Sequence, residues 1–213
     1  LATLWLSKLN EPETGIRSKG EGSVTRKSWD QIVSGAGAVV AIVLLALGAM
    51  AIFGGMFGRD NVKDRLVPQK ISLPPIEAMT PEEKAEVGDF AGAKVDTGTE
   101  AEAFSRYIGL HLEEVNEGMT YSETSAMARE EGISPKLAAE LQAKADTLFK
   151  GEALRGVLLN AYGWWIVATL ALYAGFALIG FGLIMGIFAA LGFRHARKVE
   201  VKTAAVAPKP VTA

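Results

Sequence analysis

The sequence predicts an all-α membrane protein in which two transmembrane helices flank a small helical extracytoplasmic domain. Three observations carry this expectation. No charged residue occurs from Gln31 to Gly58 or from Gly156 to Phe193, and both runs exceed the roughly 20 apolar residues that cross a bilayer core. Bulky amphipathic aromatics stand at the edges of these runs. The segment between them has apolar residues at helical spacing, punctuated by Thr-x-x-Glu signatures, and no alternating β pattern.

The elements follow in chain order. Residues 1–30 form a cytoplasmic tail; its first ten, LATLWLSKLN, place Leu1, Leu4, Trp5 and Leu9 on one face, as in a helix lying on a membrane surface or the cut end of an ordered tail. Residues 31–58 form transmembrane helix 1. It lies behind too long a tail, and is too long itself, for a cleaved signal peptide. Residues 59–79 read as a linker: they begin with mixed charge, and the prolines of LVPQKISLPPIEAM that follow forbid a regular helix.

Residues 80–155 form the helical extracytoplasmic domain. Thr80-Pro81-Glu82-Glu83 combines an N-cap, proline at the first helical position and a capping-box glutamate, and opens a helix to about Ala91. Asp96, Thr97 or Thr99 caps a second helix over Glu100–Glu117, whose apolar positions are Phe104, Tyr107, Ile108, Leu112 and Val115, with Gly118 as its stop. Thr120-Tyr121-Ser122-Glu123 opens a third, to about Glu131. Ser134-Pro135 opens the last, with Gly151 as a candidate break before the membrane.

Residues 156–193 are transmembrane helix 2 with its outer extension. As a helix, Trp164–Phe193 would rise about 45 Å, near the full thickness of a bilayer with its headgroups. Residues 194–213 are basic and then disordered. Trp29, Tyr162, Trp164 and Trp165 are the expected interfacial aromatics, and Arg194, Arg197 and Lys198 the basic anchors.

Charge sets the orientation. The 97 residues from Arg59 to Arg155 hold 12 Lys/Arg and 19 Asp/Glu, a net −7, whereas the two tails hold 10 and 5, a net +5. Basic residues gather on the cytoplasmic side, so both termini are expected inside a two-pass plasma-membrane protein.

Small residues mark the expected helix–helix contact. Ala168, Gly175, Gly182 and Ala189 recur every seven residues, with Ala171 and Gly186 nearly on the same face; Gly182–Gly186 and Gly54–Gly58 are GxxxG pairs. Such positions let backbones approach, either within the chain or against another subunit.

Chemistry-bearing residues are few. The chain has no cysteine, hence no disulfide or thiolate. His111 has Glu114 on its helical face, but a metal site of that kind draws further ligands from other helices. His195 sits among Arg194, Arg197 and Lys198. No phosphate-cradling loop, Ser/His/Asp pattern or nucleic-acid patch is present. No catalytic residue, cofactor or metal ligand is assigned.

DFAGAKVDTG (89–98), EEVNEGMTYSE (113–123) and LRGVLLNAYGWW (154–165) resemble a group of small actinobacterial membrane proteins built as span, helical ectodomain, span. The likeness covers roughly residues 35–193 and implies that fold in a bacterial plasma membrane. Members often carry the label aromatic ring-opening dioxygenase. That chemistry needs a cluster of His and carboxylate iron ligands, and the two histidines here fall on opposite membrane faces in the expected topology. The sequence therefore points to a non-enzymatic accessory or assembly subunit of a larger respiratory or cell-envelope complex. Its expected partners are membrane lipids and an integral membrane protein or a second copy, with no nucleic acid. The alternative is a membrane sensor or ligand-binding protein with a separate signalling partner.

Overall fold

Two long helices dominate the chain, and both run past the limits expected for them. The computed structural model describes residues 26–206, with side chains described for 28–198. The surface helix expected in the first ten residues and the final disordered segment lie outside the described residues. Helix α1 spans Arg26–Leu66 and α5 spans Pro135–Val206. Each is long and apolar enough to cross a membrane. Between them lie α2 (Pro81–Val87), α3 (Gly98–Val115) and α4 (Tyr121–Met127), with short 3₁₀ turns at Val67–Gln69, Ile76–Ala78 and Gly88–Phe90. Among the described residues there is no strand.

The first correction concerns residues 59–66, expected as linker and found as the last two turns of α1. Charge does not break a helix. Pro68, which cannot continue the hydrogen-bond ladder, does so here. Within this extension Arg65 Nε donates to Asn61 Oδ1 at 2.9 Å, while Val62 and Leu66 turn inward and are buried. The second correction concerns Gly151, which does not break α5. It instead makes room for Leu112, whose Cδ1 would lie 2.5 Å from any Cβ at that position.

Three capping boxes fix the short helices. Thr80 and Glu83 exchange bonds at the start of α2, and Thr120 and Glu123 at the start of α4. At α3 the cap is Thr97, whose backbone N–H donates to Glu100 Oε2 at 2.7 Å. The bond from the Thr120 N–H holds the Glu123 carboxyl below the usual carboxylate range. This contribution to the cap is present above that range and fades as pH falls through the lowered pKa. Helix α2 ends earlier than expected, at Val87, and tightens into the 3₁₀ turn; α4 stops at Met127.

The described residues divide into two compact units, one of residues 40–185 and one formed by residues 26–39 with 186–206. The first contains the head. Its core joins Leu73, Met79, Val87, Val95, Ala101 and Ala103 to Val62, Leu66, Leu158 and Trp165 of the long helices. Residues 71–74 lie beside 92–95, with Leu73 N–H donating to Ala93 O and Val95 N–H to Ile71 O, which drives Leu73 and Val95 inward. This pairing is an isolated bridge, too short to show as alternation in the sequence. Arg106 ties α2 to α3, 2.9 Å from both Glu86 and Glu102. The α3–α4 turn is held by buried Asn116, whose Nδ2 donates to Met119 O and Thr124 Oγ1, each at 2.7 Å. Glu117 and Gly118 there take left-handed backbone, which the glycine accepts without cost.

Trp165 is the side chain on which the head is seated. It is only 9% exposed, and Gly98, the first residue of α3, lies against its Cβ and Cγ. A Cβ on Gly98 would come within 2.6 Å of Trp165 Cγ, close to the backbone anchor of that side chain, so the ring cannot swing clear. Gly98→Ala is expected to cost about 1–3 kcal/mol by overpacking, read as a lower Tm in detergent. Gly156→Ala, with nothing within 4 Å on the same chain, should leave Tm unchanged or slightly raised. Equal Tm values for the two variants would contradict this seating.

Candidate functional site

The small residues form a seam between α1 and α5. In the unit of residues 40–185, a Cβ on Gly48 would lie 2.9 Å from Gly175 O, and one on Gly175 would lie 2.8 Å from Gly48 O. At Gly55 it would meet Ala168 O at 2.6 Å, and at Gly182 it would meet Leu45 Cγ at 2.9 Å and Ala41 O at 3.2 Å. At Gly48, Gly55 and Gly175 these are approaches to backbone atoms that no side chain tolerates, whereas at Gly182 the nearest neighbour is the Leu45 side chain. Ala41, Gly48, Gly55 and Val62 stand seven residues apart, as do Ala161, Ala168, Gly175 and Gly182. A seven-residue repeat keeps one seam facing its partner along two coiled helices. In the other unit, a Cβ on Gly37 would lie 3.7 Å from that of Ala189, and Gly192 lies against Ser34.

The expected interface residues divide accordingly. Ala168, Gly175, Gly182 and Ala189 are buried, and a Cβ on Gly58 would lie 2.9 Å from Ala168 Cβ. Gly186 and Ala171 are half-buried. Gly54 is a correction: it is exposed, and nothing lies within 4 Å of its Cβ position. The neighbouring Gly55 occupies the seam. In the sequence the four-residue pair Gly54–Gly58 obscures the seven-residue series of Ala41, Gly48 and Gly55.

The aromatics divide too. Trp29 and Trp164 are exposed, and Tyr162 is half-buried. Trp165 is a correction: it is core, and it carries the Arg59 guanidinium 4.3 Å from its ring centroid. Such a contact is worth about 0.5–2 kcal/mol and holds a charge at the end of the uncharged run. Arg194, Arg197 and Lys198 are exposed, as is His195.

Where the seam meets the head, the helices open into a groove of about 1130 Å³. One end is apolar, with Gly54, Phe57, Val167, Ala168 and Ala171. The other carries every polar lining group: Asn61, Asp64, Arg65, Gln69 and Asn160. Trp164 forms a wall where the two characters meet. The missing side chain of Gly54 leaves the apolar end open. None of these residues was singled out for a groove in the sequence, since it is built from segments about 100 residues apart.

His111 is exposed on α3, and among the described residues no group of three or more His, Cys, Asp or Glu side chains is placed to hold a metal. The groove offers hydrogen-bonding and charged groups over an apolar floor, an arrangement suited to binding an amphiphile. Comparison of the chain with protein families, curated proteins and solved structures finds no significant match.

The seam makes a contrast within one helix. Gly175→Val should break the approach to Gly48 and Ile52, destabilising the helical pair by about 1–3 kcal/mol or more. Gly180→Val, five residues on with nothing within 4 Å, should be silent. Thermal melts in detergent separate the two; a silent Gly175→Val would remove the seam.

Proposed function

We propose that the chain is a two-span plasma-membrane protein, with both termini cytoplasmic and its helical head outside, acting as a non-enzymatic accessory or assembly subunit of a larger membrane complex. The observation that carries this reading is the surface of the helical pair. Only 11% of the most apolar stretch of each long helix is buried within the chain, whereas a soluble core helix would be mostly enclosed. Ile42, Met50, Phe53, Phe176, Phe181 and Phe188 all point outward. Such a surface needs hydrocarbon or another protein around it.

The seam bears on how partners are met. Its small residues are consumed by the contact of α1 with α5, so a partner would meet the outward faces or the head. Exposed Arg194, Arg197 and Lys198 favour the cytoplasm for that end. The resemblance to two-span actinobacterial proteins supports a bacterial plasma membrane. The groove favours a second reading, ligand binding at the membrane surface.

The orientation is tested with single cysteines on a chain that has none. In intact cells an impermeant maleimide should label Ser122→Cys and spare His195→Cys; the reverse pattern would overturn the topology. Native co-purification in mild detergent with mass spectrometry tests the accessory role. A stoichiometric membrane partner is expected, and recovery of the chain alone at full yield would contradict it.

A further inference from the structure

We infer that the groove holds one zwitterionic phospholipid, its ethanolamine headgroup between Asp64 and Arg65 and its acyl region on the floor at Gly54. The inference rests on the membrane reading above. The argument begins with the order of polarity along the groove. From residue 54 to residue 69, α1 and the turn after it rise about 22 Å. All five polar lining groups lie from residue 61 onward or opposite it, and the floor beneath is apolar. A ligand matching this gradient is polar at one end and hydrocarbon at the other, as a lipid is.

The charges narrow the headgroup. The rim holds one carboxylate and one guanidinium on consecutive residues, so its net charge is zero. Arg65 is steadied by its bond from Nε to Asn61 Oδ1, and among the described residues no other hydrogen bond or ion pair engages its guanidinium. Among the described residues the side chains of Asp64, Gln69 and Asn160 have no partner. A phosphate matches the free guanidinium nitrogens in geometry and charge. An ammonium bearing N–H groups matches the free carboxylate, which a headgroup with a single negative charge would leave unpaired and repelled.

The floor supplies the second argument. Gly54 lines the groove, and a Cβ there would meet nothing within 4 Å, so its absence of a side chain leaves the groove open. Gly54→Leu therefore fills the apolar end without straining the fold, and separates lipid binding from stability.

The test is native mass spectrometry of the full chain, purified in mild detergent and equilibrated with equal phosphatidylethanolamine and phosphatidylglycerol of identical acyl chains. One retained phosphatidylethanolamine per chain is expected, in preference to phosphatidylglycerol. Gly54→Leu should keep the wild-type Tm and lose retention of both lipids by about tenfold or more. Arg65→Gln should weaken both, and Asp64→Asn should abolish the preference. Preference for phosphatidylglycerol in the wild type, or undiminished retention in Gly54→Leu, would overturn the assignment. Alkaline carbonate extraction of the same membranes keeps the two readings apart. A chain that stays in the membrane but retains no lipid sinks only the groove, whereas a chain released by carbonate sinks the membrane reading itself.

Discussion

The structure depends on how closely two backbones approach. At Gly48 and Gly175 each helix presents a carbonyl oxygen where the other would carry its Cβ. Under the proposed membrane placement, pairing two apolar helices in hydrocarbon brings no hydrophobic gain, and close packing and backbone contact supply the association. Side chains on the far side of each helix are then free to be large, and they are: Phe53 and Phe181 face outward while glycine and alanine face in. The residue types are sorted by face rather than by position along the chain.

The head inherits this geometry. Because α1 continues to Leu66 and α5 begins at Pro135, the head does not hang from a linker; it is packed round helix ends already held together. Trp165 belongs to that core, offers its Cβ and Cγ to Gly98 and carries Arg59 over its ring. One side chain thus links the seam, the first turn of α3 and the charge that ends the apolar run. The groove arises beside it, where the seam still uses small residues but the walls, Phe57 and Trp164, have become large.

The sequence made some of this legible and hid the rest for physical reasons. Charge-free length announces a long apolar helix whatever its neighbours, and Thr80 with Glu83 or Thr120 with Glu123 complete a local motif that needs no tertiary partner. Trp164 and Trp165 were indistinguishable, because consecutive helical residues point about 100° apart and only the packing decides which faces inward. Gly54 and Gly55 pose the same problem, and there the shorter repeat was the wrong guide. Residues 59–66 were read as linker from their charge, although Val62 and Leu66 continue the buried stripe. The groove was invisible because it consists of an absence at Gly54 and of walls brought together only by folding.

The seam is the central claim, and a disulfide across it is the most direct test. A Cβ on Gly37 stands 3.7 Å from that of Ala189, within the 3.5–4.5 Å span that a disulfide requires. The native chain has no cysteine to compete. Gly37→Cys with Ala189→Cys, oxidised in membranes and then cleaved in the head, should leave the two halves joined on a non-reducing gel and separate them on reduction. Halves that separate without reductant, or bonds found only between two copies of the chain, would contradict an intramolecular seam.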